Sequence, residues 1–153
     1  MRKTFVLCLI ATTCLLAHAG NCRQVGGTVS TNFLDSTTTF GTVTGDLAGA
    51  IGVTVLSLTQ NPDGTATFRN QHHWVTSTGD TINALPANAT AFPTNVAGFY
   101  AASYLNGVVI NGGTGQFKNA TGKVSSWGAV DLNKGEVVLR YEGTVCFADS
   151  DRR

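Results

Sequence analysis

Hydrophobic and polar residues alternate in short runs along most of this chain, and residues typical of tight turns separate the runs. Strict alternation is the pattern of a half-buried β-strand, and no stretch keeps the period of an amphipathic helix. About eight runs of this kind are joined mostly by short links. The pattern therefore predicts an all-β fold, an eight-stranded antiparallel up-and-down β-barrel with little helix.

The individual strands can be placed from the same alternation. They are predicted over residues 25–32, 37–44, 52–60, 65–76, 81–84, 98–105 together with 108–111, 123–132 and 136–147. The sixth strand would be bulged at Asn106 and Gly107, because Gly within a strand often marks a bulge. Residues 86–95 are small and polar and include Pro86 and Pro93, so they are predicted to form a long loop.

The first nineteen residues show a different pattern. Arg2 and Lys3 precede an apolar run over residues 4–16, and Ala17-His18-Ala19 follows it. These are the parts of a secretory signal peptide, and the run is too short to cross a bilayer. We therefore expect residues 1–19 to be removed, leaving a single domain over 20–153 that is secreted or extracytoplasmic.

Export changes how the cysteines are interpreted. Cys8 and Cys14 lie in the apolar run and would leave with it, while Cys22 and Cys146 remain near the two ends of the mature chain. In an oxidising compartment two such thiols are most simply explained by a disulfide. The alternative is that both thiols stay free.

The charge of the chain narrows the choice of partners. Lys and Arg number 10 and Asp and Glu number 9 in 153 residues, and they form no basic stripe. Proteins that bind nucleic acid or anionic lipid need such a basic surface. We therefore expect no nucleic-acid partner and no binding to anionic lipid. No membrane span is expected either, because the apolar run over residues 4–16 is too short.

A glycine-rich segment over residues 112–122, with the sequence GGTGQFKNATG, is the sharpest local motif. It lacks the Lys-Ser/Thr pair and the following helix of a phosphate-binding loop. Together with residues 45–47 (GDL), 52–56 (GVTVL) and the Gly-Asp pair at 79–80, in this order, it resembles the allene oxide cyclase and dirigent superfamily. The resemblance implies an eight-stranded barrel with an apolar cavity, often trimeric, so a homotrimer is expected.

The chain departs from the plant cyclases at their catalytic position. Those enzymes resemble one another in a first strand that carries a glutamate, whereas residues 25–32 contain no acidic residue. No catalytic role is carried over, and whether the protein is an enzyme stays open.

The densest polar and aromatic cluster lies on the fourth predicted strand. Alternate residues of a strand face opposite sides, so Asn70, His72 and Trp74 share the face predicted to point into the barrel, and His73 points outward. The resemblance adds a pocket tyrosine that matches Tyr100 or Tyr104. We predict a ligand-binding set of Asn70, His72, Trp74 and Tyr100. The alternative is that Asn70 or a hydroxyl group merely satisfies a structural His72.

Metal and cofactor chemistry find little support. His72 and His73 are the only histidines outside the predicted signal peptide, and neighbouring strand residues point apart. A metal site needs three or four convergent ligands, so neither a metal nor a cofactor is expected.

Three functions follow as hypotheses. In the first, the barrel lumen binds a small apolar or aromatic molecule, because an apolar cavity with few polar groups is typical of small-ligand sites. In the second, implied by the resemblance, the protein is a cofactor-independent isomerase or cyclase, or a dirigent-like guide of radical coupling. In the third, it is a structural or surface protein whose barrel is filled by its own side chains.

Overall fold

A computed structural model of the protein describes residues 21–148. The predicted signal peptide, Gly20, Cys8 and Cys14 lie outside the described residues. Ten strands and one short 3₁₀ turn, Gly115–Phe117, form the fold. The strands are β1 (Asn21–Phe33), β2 (Thr38–Val43), β3 (Gly49–Gln60), β4 (Ala66–Thr76), β5 (Thr81–Ala84), β6 (Ala87–Pro93), β7 (Phe99–Ser103), β8 (Val108–Gly113), β9 (Thr121–Asp131) and β10 (Glu136–Phe147).

The ten strands fill eight positions of a closed antiparallel barrel. Each strand from β1 to β4 pairs with the next, and β10 pairs with both β9 and β1, which closes the sheet. The short strands β5 and β6 pair with opposite halves of β4, and β8 and β7 pair with opposite halves of β9. Each short pair therefore occupies one position, and the predicted eight-stranded up-and-down barrel is confirmed.

The prediction of a loop over residues 86–95 is wrong, because Ala87–Pro93 is strand β6. Ala87, Ala89 and Ala91 are buried and alternate with more exposed residues, as in a strand with one face inward. Pro93 lies at the last position of the strand, where a missing backbone N–H is tolerated. Small residues flanked by prolines have weak strand propensity, and pairing with β4 decides their conformation.

The sixth predicted strand is not one bulged strand but two separate strands. Its two parts, β7 and β8, are separated by a turn in which the Gly107 N–H donates to the Tyr104 carbonyl over 2.8 Å. Tyr104 remains attached to the sheet, since its own N–H donates to the carbonyl of Ser126 on β9.

The predicted disulfide is confirmed. Cys22 on β1 and Cys146 on β10 lie directly opposite each other, with their Cα atoms 3.8 Å apart. The bond therefore joins the first and last strands across the seam that closes the barrel, and the two residues are separated by 124 positions in the sequence.

One end of the barrel is closed by two loops, and we call it the closed end. From the β2–β3 loop, Leu47 enters the core with 2% of its surface exposed, and from the β8–β9 segment Phe117 does the same. Tyr141 holds the first loop, because its hydroxyl accepts from the Leu47 N–H and donates to the Thr44 carbonyl, each over 3.0 Å.

Two motifs that are distant in sequence meet at this closed end. The Asp80 carboxylate, in the β4–β5 turn, accepts from the Gln116 N–H at 3.3 Å, and Thr81 and Thr114 exchange hydrogen bonds beside it. A Cβ on Gly115 would overlap the Asp80 carboxylate. Gly115 also has a φ of +51°, a conformation that disfavours residues with a Cβ. The glycine-rich segment therefore closes this end of the barrel and is hydrogen-bonded to the Gly-Asp turn.

The opposite end of the barrel, where the β1–β2, β3–β4, β6–β7 and β9–β10 turns lie, has a different interior, and we call it the open end. Most of the inward positions in this half carry small residues, which are Thr31, Thr39, Gly41, Ala87, Ala89, Ala91, Ala102, Ser126 and Gly128. Nearer the rim, larger apolar side chains such as Phe68 and Val137 are only half-buried. An eight-stranded barrel has room for its own side chains or one small ligand, and small side chains leave more of that room free.

Candidate functional site

A buried polar cluster lies on the inward face of β4. Asn70 and His72 are each 6% exposed, and both contact the hydroxyl of Tyr104, which follows β7. Asn70 Nδ2 donates to that hydroxyl over 2.7 Å, and His72 Nε2 lies 3.0 Å from it. The His72 and Tyr104 rings also pack against each other with centroids 5.2 Å apart.

Two atoms of this cluster have no hydrogen-bond partner among residues 21–148. They are Asn70 Oδ1 and His72 Nδ1, and both are buried. Most buried polar side-chain atoms in proteins are hydrogen-bonded, because an unpaired polar atom away from water destabilises the fold. Unpaired atoms of this kind are one mark of a site that binds another molecule.

Burial governs the protonation of the cluster. Loss of solvation and, to a smaller extent, the nearby His73 together lower the pKa of His72 from 6.5 to about 4. Burial raises the pKa of Tyr104 to about 12, although the hydrogen bond from Asn70 opposes the shift. Both side chains are therefore uncharged at neutral pH, and the cluster offers hydrogen bonds rather than charge.

Trp74 lies on the same inward face but belongs to the closed end. Its Nε1 donates to the Leu47 carbonyl over 2.9 Å, and its ring meets Tyr141 edge to face at 5.8 Å. With 7% of its surface exposed, it forms the floor beneath the polar cluster.

Tyr100 points inward from β7 at the open end, opposite Pro93 and Val130, and is half-buried. It is not part of the polar cluster. Tyr104, the other tyrosine that the family resemblance suggested, makes the contacts to Asn70 and His72 instead. Alternation places residues 100, 102 and 104 on one face, and only the closure of the barrel decides which tyrosine reaches β4.

A groove of about 430 Å³ lies along β4 and β5. Its lining includes the outward residues Gln71, His73 and Asn83 and also His72 and Trp74 of the predicted ligand-binding set. Gln71 Nε2 donates to the carbonyls of Ala84 and His72 where the pairing of β4 with β5 ends. This side chain therefore supplies hydrogen bonds to the backbone at the gap between β5 and β6.

Other kinds of site find no support in residues 21–148. These residues include no group of three or more His, Cys, Asp or Glu side chains arranged to hold a metal ion. In the same part of the chain, no helix has the length and apolar character needed to cross a membrane.

The chain was also compared with known proteins. No protein-family model and no curated protein matches the chain. The chain is similar to the structure of the pterocarpan synthase dirigent protein GePTS1, with 13% sequence identity and a TM-score of 0.34, covering 96% of this chain and 100% of that one. A TM-score this low establishes no family. The barrel is therefore assigned from its strand pairing, and the allene oxide cyclase and dirigent resemblance stays a prediction.

Proposed function

We propose that this protein is a secreted barrel that binds a small, mainly apolar molecule in its lumen, through the open end. The observation that carries the proposal is the pair of buried, unpaired atoms Asn70 Oδ1 and His72 Nδ1. Small-ligand sites are typically apolar cavities with a few polar groups that orient the ligand. Asn70, His72 and Tyr104 supply such groups, and half-buried apolar side chains surround the approach to them.

The proposed route to the site can be blocked from the rim. Val137 and Val138 are neighbours on β10, but Val137 faces inward opposite Thr31 and Val130, whereas Val138 faces outward and is 46% exposed. Replacing Val137 with Trp would fill the open end, and the same change at Val138 would add a ring to the outer wall only.

Titration with the uncharged dye N-phenylnaphthylamine tests this proposal. We expect saturable binding to the wild-type protein and to Val138→Trp, and at least about tenfold weaker binding to Val137→Trp. Equal binding to the two variants would place the dye outside the lumen. A wild-type protein that binds no dye would favour the third hypothesis, a barrel filled by its own side chains.

Catalysis is the second candidate, and the contact between His72 Nε2 and the Tyr104 hydroxyl favours it, since such a pair can relay a proton. The lowered pKa of His72 weakens this candidate, because an imidazole with a pKa of about 4 is a poor base at neutral pH. A His72→Leu variant that binds the ligand normally but loses turnover would favour catalysis over binding alone.

Secretion and assembly belong to the same proposal. The disulfide between Cys22 and Cys146 supports an oxidising compartment, where such bonds persist. Native mass spectrometry of protein purified from the culture medium tests export, subunit number and ligand together. We expect a chain that begins at Gly20, a mass two protons below the reduced value, a trimer, and a co-purified small molecule.

A further inference from the structure

The hydrogen-bond pattern of the polar cluster assigns a donor and an acceptor to the lumen. The Asn70 Nδ2 group can only donate, so the Tyr104 oxygen accepts from it. In residues 21–148 the only other partner of that hydroxyl is His72 Nε2, so the hydroxyl hydrogen is donated to this nitrogen. A neutral imidazole that accepts at Nε2 carries its proton on Nδ1. His72 Nδ1 is therefore a free donor and Asn70 Oδ1 a free acceptor.

The walls around these two atoms carry no compensating charge. The cross-strand neighbours of His72 and Asn70 on β3 are Val53 and Val55, and Asn70 faces Ala87 on β6. Arg69 and His73, the nearest basic residues along β4, lie on its outward face and are exposed. An ion that entered the lumen would lose its hydration without meeting an opposite charge, which is strongly unfavourable.

We infer that the lumen selects uncharged ligands that accept a hydrogen bond from His72 Nδ1 and donate one to Asn70 Oδ1. Primary carboxamides, alcohols, phenols and undissociated carboxylic acids on an apolar body have both capacities. A carboxylate has no donor for Asn70 Oδ1, and an ammonium group has no acceptor for His72 Nδ1. This inference rests on the proposed lumen site and specifies the polar chemistry of its ligand.

A matched series of one-ring probes tests the inference by calorimetry near neutral pH. Benzamide has both a donor and an acceptor, benzoate and benzylammonium are its charged counterparts, and ethylbenzene has neither polar capacity. We expect benzamide to bind at least about tenfold more tightly than each of the other three, because unpaired buried groups are costly on both sides. Equal affinities for benzamide and ethylbenzene, or tighter binding of an ion, would overturn the selection while leaving a lumen site in place.

Failure of the lumen site itself has a different signature. If no probe in the series binds, and N-phenylnaphthylamine does not bind either, the proposed function is wrong and this inference falls with it. The two failures are therefore distinguished by whether any probe of the series, or the dye, binds.

Two adjacent histidines supply a matched pair of variants. His72→Leu removes the lumen donor, whereas His73→Leu makes the same change on the outer face of β4. We expect the preference for benzamide over ethylbenzene to disappear in His72→Leu and to persist in His73→Leu. A preference that survives in a folded His72→Leu protein would overturn the assignment of His72 as the donor. If His72→Leu does not fold, the probe series measured on the wild-type protein still tests whether the lumen selects such ligands.

Discussion

The Tyr104 hydroxyl lies 3.0 Å from Nε2 of His72 and joins β4 to the turn between β7 and β8, two positions away around the barrel. It also accepts a hydrogen bond from Asn70 Nδ2, so one hydroxyl group pairs with one polar atom of each of two buried side chains. The protonation of this buried cluster, its contribution to stability and its proposed ligand chemistry can each be measured.

The first prediction concerns the pH dependence of stability. The pKa of His72 is about 4 in the folded protein against an ordinary value of 6.5, so the unfolded chain binds more protons between these values. Stability should therefore be complete above about pH 6.5 and fall as the pH drops toward 4, by up to roughly 3 kcal/mol. Urea unfolding of wild type and His72→Leu across this range measures the effect.

His73→Leu is the control for this prediction, because His73 is exposed and points away from the lumen. It should keep most of the wild-type pH dependence, whereas His72→Leu should flatten the curve. Similar curves for both variants would show that His72 is not the group responsible.

The second prediction tests the hydroxyl of Tyr104. Tyr104→Phe leaves the Asn70 amide and His72 Nε2 buried without their partner, which should cost about 1–3 kcal/mol in the free energy of unfolding. Tyr100→Phe is the control, since the Tyr100 hydroxyl makes no hydrogen bond within residues 21–148, and it should change stability by less than about 0.5 kcal/mol. Equal effects of the two substitutions would contradict the central role of Tyr104.

The third prediction concerns the tautomer of His72. Nitrogen-15 NMR near neutral pH should show one neutral imidazole protonated at Nδ1, because Nε2 accepts from Tyr104. In Tyr104→Phe that preference should weaken. A wild-type His72 signal with the proton on Nε2 would reverse the donor assignment of the lumen.

The fourth prediction concerns the close contact between Gly115 and Asp80 at the closed end. Gly115→Ala should destabilise the protein more than Gly64→Ala by at least about 1 kcal/mol. Both positions have positive φ, but a Cβ at Gly64 would meet nothing within 4 Å, whereas one at Gly115 would overlap Asp80. The difference therefore isolates the steric contact from backbone strain, and thermal unfolding of the two variants measures it. Equal losses would mean that the Asp80 contact relaxes freely.

The fifth prediction concerns the disulfide. Replacing Cys22 and Cys146 together with Ser should lower the free energy of unfolding by about 2–5 kcal/mol, because the bond closes nearly the whole chain into a loop. The reductant dithiothreitol should lower the melting temperature of the wild type but not that of the double variant. A wild type that melts at the same temperature with and without reductant would contradict a stabilising bond.

Much of the fold could be predicted from alternation alone, and the missed strand β6 shows where that signal is weak. Strands β10 and β4 have strong alternation of large side chains, so their prediction succeeded. Strand β6 has alanine at its inward positions and proline at one end, which gives a weak local signal. Its strand conformation comes from hydrogen bonds to β4, which no local window contains.

The candidate site, like the fold, could be predicted from the sequence only in part. The sequence by itself determined that Asn70, His72 and Trp74 share a face, because the two-residue period of a strand is local geometry. Only the tertiary structure decided that Tyr104, 34 positions from Asn70, completes the cluster while Tyr100 stays at the rim. The physical reason is that residues meet across a lumen according to strand register and barrel closure, which depend on all eight positions at once.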